Sequence, residues 1–138
     1  MPPIQFAVKG LLIRDGQFLA VHKTAVKSPK FELPGGRMNF GETAEETLRR
    51  EMLEETGLHV TPLKLVDTWN YVTKSHQVTG IIYLCTAQSG NVVQLSGEHD
   101  TYEWLAAQPE SFEKMNRLFA PQMSRWDWGE LIYRGRLT

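Results

Sequence analysis

Residues 31 to 58, FELPGGRMNFGETAEETLRREMLEETGL, constrain this chain more than any other stretch. Glu42, Glu45, Glu46, Glu51, Glu54 and Glu55 all fall within it. Thr43 and Glu46 have the spacing of a capping box, which predicts a helix starting there. Ala44, Leu48 and Met52 recur every four residues and supply its apolar stripe. Gly57 is placed as the residue just past the C-terminus, Leu58 as its apolar contact, and Thr61-Pro62 marks the break. On such a helix, residues three and four apart share a face, so Glu51, Glu54 and Glu55 crowd onto one patch and repel. A hard divalent cation is the natural counter-charge. Mg²⁺ takes oxygen ligands and is usually held by a few carboxylates together with substrate phosphates.

The spacing is more specific than an acidic helix requires. Five residues separate Gly36 from Glu42, and seven separate Glu42 from the run Arg50-Glu51-Met52-Leu53-Glu54-Glu55-Thr56-Gly57-Leu58. This resembles the Nudix box, G-x5-E-x7-R-E-U-x-E-E-x-G-U with U apolar, at every fixed position. The lead-in Phe31-Glu32-Leu33-Pro34-Gly35-Gly36 is similar to that family's as well, with Phe31 where Trp is more common. A solvated acidic face would not require glycines at those offsets.

The resemblance implies a single domain, residues 1–138, with an α/β fold: an α/β/α sandwich around a mixed sheet. It implies a Mg²⁺-dependent hydrolase (Mn²⁺ able to substitute) that cleaves a pyrophosphate linkage in a nucleoside diphosphate joined to another group. Carried over, Glu51, Glu54 and Glu55 become metal ligands, with Gly36 contributing its backbone carbonyl. Arg50 becomes the residue whose fixed fork holds a box glutamate, and Glu42 supports the loop. Glu54 is one candidate general base. The later run Ser96-Gly97-Glu98-His99-Asp100 offers two more, Glu98 as a carboxylate on the metal side and His99. A histidine in that region, together with Arg37 after the glycines, resembles the GDP-mannose mannosyl hydrolase branch, which attacks at the sugar carbon. The intact box favours attack at phosphorus. A ligand sensor that does not hydrolyse, or an isopentenyl-diphosphate isomerase-like enzyme, would share the fold. Sensors tend to lose box glutamates, and Cys85 is poorly placed for the isomerase.

The substrate side is read from residue types. Gly35 permits close backbone approach to a ligand, Arg37 and Lys27 (with Lys23 and Lys30) could meet phosphates, and Tyr83 could stack on a base. Trp69, Tyr71 and the Trp126/Trp128 pair are further stacking candidates. Composition excludes some classes. The net charge is −1, with 41% hydrophobic and 22% charged residues, which speaks against a general nucleic-acid or membrane-surface binder. No signal peptide or apolar run of membrane-spanning length is evident, so a cytoplasmic location and a small-molecule nucleotide partner are expected, with a homodimer left open. Cys85 has no second cysteine to pair with and reads as an inert buried thiol.

Elsewhere the chain predicts a hairpin of residues 4–13 and 17–22 joined through Asp15-Gly16, a polar loop over 23–30 and a short strand over 31–33. Further strands are expected over 63–73, 77–87 and 101–105. A helix should open at Pro109, carry Phe112, Met115 and Phe119 as its stripe, and end at Pro121. A last short helix should run through Tyr133, capped from Ser124 or Asp127.

Overall fold

A computed structural model describes residues 2–88 and 90–136. Its strands are β1 (Ile4–Arg14), β2 (Gln17–Lys23), β3 (Gly35–Arg37), β4 (Val60–Val72), β5 (Gln77–Ala87) and β6 (His99–Ala106). The helices are α1 (Ala44–Thr56), α2 (Pro109–Phe112), α3 (Ala120–Met123) and α4 (Trp128–Arg136). The strands form one sheet in the order β4-β5-β1-β2-β6, with β3 pairing β1. β1 runs parallel to β5 and antiparallel to β2 and β3, so the sheet is mixed.

β1 reads as a near-continuous apolar run because helices cover both of its faces. Ala7, Leu11 and Ile13 face a core shared with Phe112, Phe119, Met123 and Leu131, from the side of α2, α3 and α4. Val8 and Leu12 face Leu48 and Met52 of α1. Gly10 lies directly beneath α1: a Cβ there would stand 3.0 Å from Met52 Sδ and 3.2 Å from Leu48 Cδ1. The expected α/β/α sandwich around a mixed sheet is therefore present, with α1 on one side and α2, α3 and α4 on the other.

β1 and β2 meet only at their hairpin end, pairing Ile13 with Phe18 and Arg14 with Gln17. Asp15 and Gly16 both take positive φ there, as the turn requires. Beyond the hairpin the two strands part, and β3 takes up the freed edge of β1. This divergence opens the sheet at the end where Gly35, Gly36 and Arg37 lie.

Several expectations need correction. The 31–33 segment is not a strand but makes two isolated bridges, Val21 to Glu32 and Phe31 to Met115. The regular short strand is instead the glycine segment β3, because the bare backbone of Gly35 can pack against β1. The helix expected over 109–119 divides into the single turns α2 and α3. Its backbone is diverted: Phe31 N–H donates to Lys114 O at 2.8 Å, and Asn116 N–H donates to Phe31 O at 2.7 Å. Pro121 consequently opens α3 rather than closing a helix. Pro62 lies inside β4, where an edge position and a register shift tolerate its missing donor. For α4 the cap is Asp127, whose Oδ1 accepts from Glu130 N–H at 3.1 Å, while Ser124 Oγ turns to Pro121 O. Cys85 is fully buried, and burial pushes its thiol up, as expected of an inert core residue.

Two side-chain devices fix the segments that reach the site. At the start of α1, Thr43 Oγ1 accepts from Glu46 N–H and Glu46 Oε1 accepts from Thr43 N–H, at 3.1 and 2.9 Å. Under the 24–30 loop, His22 Nδ1 lies 2.8 Å from Asp100 Oδ1 and its Nε2 lies 2.7 Å from Ser28 O. Both partners are acceptors, and a neutral imidazole has one N–H, so both bonds form only with the imidazolium. The Ser28 carbonyl and the Asp100 carboxylate accordingly raise the His22 pKa.

Two outcomes are expected. Thr43→Ala removes one half of the capping box and should cost about 1 kcal/mol in denaturant unfolding. A raised folded-state pKa gives stabilisation that is complete below the ordinary value and disappears as pH rises through the folded value. The Tm difference between the wild type and His22→Gln should therefore be largest below the ordinary histidine pKa and shrink as pH rises above it. A difference independent of pH would exclude the charged clasp.

Candidate active site

Site construction begins with α1. Its buried stripe presses Leu48 and Met52 into the core, so Arg50, Glu51 and Glu54 are left toward the open end of the sheet. Arg50 gathers the acidic groups. Its Nε donates to Glu42 Oε2 at 2.6 Å and Nη2 to Glu42 Oε1 at 2.9 Å, a bidentate grip. Nη1 donates to Glu51 Oε1 at 2.8 Å and to Glu54 Oε2 at 3.3 Å, and Nη2 also reaches Arg37 O at 2.9 Å. Glu42 Oε1 accepts from Asn39 N–H and Thr47 Oγ1 as well, which ties the loop before α1 to its first turns. The Arg50 guanidinium, with the Asn39 N–H next, holds the Glu42 carboxyl down at about 2.

The glycines are required by what lies over them. Gly35 has φ 139°, and a Cβ there would come within 2.1 Å of Val8 O. A Cβ on Gly36 would stand 2.4 Å from Glu51 Oε2. The Glu51 carboxylate thus sits directly on the β3 backbone. Gly35 N–H donates to Glu55 Oε2 at 2.7 Å. Glu55 is only 5% exposed, and burial pushes its pKa up to about 7 against the pull of Lys9 and that N–H.

These groups line a cleft of about 560 Å³ with Lys23, Arg37, Ser96, Gly97 and Glu98. Of the residues singled out in the sequence, Gly35, Gly36, Arg37, Glu51, Glu54, Glu55 and Glu98 are brought together here. Beside the cleft, and sharing Lys23, Gly35, Gly36 and Arg37 with it, is a second pocket of about 290 Å³. Trp69 and Tyr71 from β4, Val78 from β5, Asn116 and Phe119 form much of its wall.

Other sequence candidates lie elsewhere. Tyr83 packs against the core on the α1 side, not in either cavity. Strand residues alternate between faces, so β5 directs Val78 to the pocket side and Tyr83 to the opposite side. Lys27 is exposed on the 24–30 loop, outside both cavities, whereas Lys23 and Val26 of the same region reach the pocket. Trp128 packs on Phe18 and Phe112 against the core, and Trp126 packs on Trp128. His99 is buried, its ring placed behind Glu55 with Nε2 4.0 Å from Glu55 Oε1. Burial lowers its pKa.

Lys9 and Glu32 were not singled out as functional in the sequence. Lys9 is 5% exposed at the pocket floor, with Nζ 3.2 Å from Glu32 Oε1 and 5.4 Å from the centre of the Trp69 ring. Its signal was a single cation inside the apolar run FAVKGLLI. Asn116 had no sequence signal, since only the diverted backbone after α2 turns it toward the pocket.

Among the described residues, no three acidic, histidine or cysteine side chains converge closely enough to hold a metal ion as they stand. Arg50 and the Gly35 N–H occupy the oxygens that would turn toward one. The donor set nevertheless fits a hard cation: Glu51, Glu54, Glu55 and Glu98 all border one cleft with the Gly36 backbone, and every donor is oxygen.

The NUDIX domain family model matches residues 3–126. A MutT-like protein of Streptomyces ambofaciens is 31% identical over 121 residues, which cover 86% of this chain and 75% of the relative. An asymmetrical bis(5'-nucleosyl)-tetraphosphatase of Mus musculus is 35% identical over 91 residues, 59% of this chain and 62% of that protein. The crystal structure of a MutT protein from Methanosarcina mazei Go1 superposes with a TM-score of 0.79 at 26% identity, covering 94% of this chain and 96% of that one. A family model spanning nearly the whole chain agrees with the glycine-backed glutamates on α1, and the chain therefore belongs to the Nudix family of hydrolases that act on pyrophosphate bonds.

Proposed function

We propose that residues 1–138 act as one cytoplasmic Nudix domain that hydrolyses a pyrophosphate linkage within a nucleoside diphosphate joined to another group, by attack of water at phosphorus. The observation that carries this reading is the junction of the two cavities. An acidic cleft suited to a cation meets a partly aromatic pocket at Gly35, Gly36 and Arg37. A pyrophosphate lying across that junction would have its charged centre beside Glu51, Glu54, Glu55 and Glu98, and its nucleoside against Trp69 and Tyr71. The tetraphosphatase relative, whose name refers to a dinucleoside polyphosphate, supports the same substrate class.

Glu51, Glu54, Glu55 and the Gly36 carbonyl would hold Mg²⁺, or Mn²⁺ in its place. When bound, the cation would neutralise phosphate charge and acidify a coordinated water. The remaining work belongs to side chains of this chain. Arg37 and Lys23 provide positive charge where the cavities join and would hold phosphate oxygens. Arg50 keeps Glu51 over the bare β3 backbone. Glu54 is the most exposed of the three α1 carboxylates, its side chain 58% accessible, and its contact to Arg50 is the longest, at 3.3 Å. It is free to swing toward an attacking water and take its proton. Glu98 faces the same cleft from the opposite rim. Burial of His99 behind Glu55 gives that ring no path to a sugar carbon, which supports attack at phosphorus over the glycosyl alternative.

Turnover of nucleoside polyphosphates and nucleotide sugars should stop in excess chelator and return with Mg²⁺ or Mn²⁺; undiminished turnover without metal would exclude the mechanism. Glu54→Gln should slow the reaction by about 10²–10⁴-fold with Tm unchanged or raised, because a like charge leaves the patch. Glu45→Gln, on the solvent side, should be close to silent. In ¹⁸O-labelled water the label should enter a phosphate product; label in a released sugar would move the protein to the other branch.

A further inference from the structure

We propose that His99 is a positioning residue, orienting the Glu55 carboxylate through Nε2–H and thereby locking the Ser96–His99 segment, which carries Glu98, onto the last turn of α1. The first observation is an orphan. The His99 side chain is completely buried and its Nε2 has no hydrogen-bond partner among the described residues. A buried ring nitrogen without a partner is costly, and native interiors avoid it. Within ion-pair distance of it is Glu55 Oε1, at 4.0 Å. The other carboxylate oxygen of Glu55 is already taken by the Gly35 N–H at 2.7 Å. Glu55 is therefore gripped on one oxygen and confronted by an imidazole on the other. A shift of about 1 Å brings the pair to hydrogen-bond distance.

The second observation is compatible with a proton on Nε2. Ser96 Oγ lies 3.5 Å from His99 Nδ1 and is the only side-chain partner on that edge of the ring among the described residues. A hydroxyl donating to Nδ1 leaves the ring proton on Nε2, the atom aimed at Glu55. The third observation is the backbone around the pair. Gln94 N–H donates to Thr56 O at 2.8 Å, Ser96 N–H to Glu55 O at 3.2 Å, and His99 N–H to Ser96 O at 3.2 Å. On the other side, Thr24 N–H donates to Glu98 O at 2.9 Å. The segment is stitched to the end of α1 by main chain, and His99 is the side chain that fills the space beneath it. Loss of the His99–Glu55 contact would disturb one glutamate directly and a second, Glu98, through the segment.

The effect on turnover rests on the function proposed above; the contact itself does not, so the test begins with metal-free protein. In ¹⁵N-resolved NMR, His99 should be a neutral ring with its proton on Nε2, and Glu55→Gln should shift that nitrogen. Stability should be measured for His99→Leu, Glu55→Gln and the double variant, with His99→Gln, whose amide can place an N–H near the former Nε2, as the conservative replacement. Non-additive Tm changes in the cycle are expected. With Mg²⁺ and substrate, His99→Leu should lower kcat by about tenfold with KM little changed, and His99→Gln should recover most of that loss. An Nδ1–H tautomer, an Nε2 signal indifferent to Glu55→Gln, or additive Tm changes would overturn the proposal, as would equal losses of kcat in the Leu and Gln variants. Should His99→Leu fail to fold, the NMR response and the Gln variant decide alone. A wild type inactive on every pyrophosphate substrate would refute the proposed function while leaving the metal-free results to judge His99.

Discussion

The acidic face of α1 depends on a single guanidinium. Glu51, Glu54 and Glu55 lie on one helical patch, where like charges oppose helix formation. Arg50 binds Glu51 and Glu54 from within the same helix, and anchors itself outside it through both oxygens of Glu42 and the Arg37 carbonyl. A lysine could balance the charge but could not bind those partners in one plane. Three segments thereby acquire a fixed relation: the loop before α1, the helix itself and the end of β3. A cation in the cleft would act on carboxylates that are already assembled and partly neutralised.

Close packing of bare backbone is the complementary constraint. Glu51 can lie over β3 only because Gly36 has no side chain, and β3 can pack against β1 only because Gly35 has none. Gly10 lets α1 settle onto β1 in the same way. Each would be an ordinary weakness in a strand. Here they allow helix, short strand and central strand to approach within contact distance, which places carboxylates and main chain around one cleft. A side chain at Gly35 would collide with the β1 backbone and force the strands apart, whereas one at Gly36 would displace the Glu51 carboxylate.

The parting of β1 from β2 supplies the space for chemistry. Beyond the hairpin β1 trades β2 for β3, and the sheet opens where a pocket with Trp69 and Tyr71 can form beside the acidic cleft. The pocket carries a part-buried Lys9–Glu32 pair at its floor, with the cation beside the Trp69 ring. Burial makes such a pair sensitive to whatever hydrogen-bonding groups a ligand presents. The 24–30 loop closes one side of this region and is held there by the His22 clasp.

Much of this was legible along the chain because it is encoded locally. The capping box, the apolar stripe of α1, the Asp15-Gly16 hairpin and the spacing of Gly36, Glu42, Arg50, Glu51, Glu54 and Glu55 depend on residues only a few positions apart, and helical geometry converts those intervals into a shared face. The tertiary structure decided which strand face meets which layer. It sent Trp69 of β4 to the pocket and Tyr83 of β5 to the core opposite, a parity that the apolar run around Tyr83 does not reveal. It broke the helix expected after Pro109, because the Phe31 backbone competes for Lys114 and Asn116. It also buried His99 behind Glu55 and drew Lys9 to Glu32, contacts across 44 and 23 positions. Pairings over such distances arise from the packing of whole layers, which no local pattern specifies.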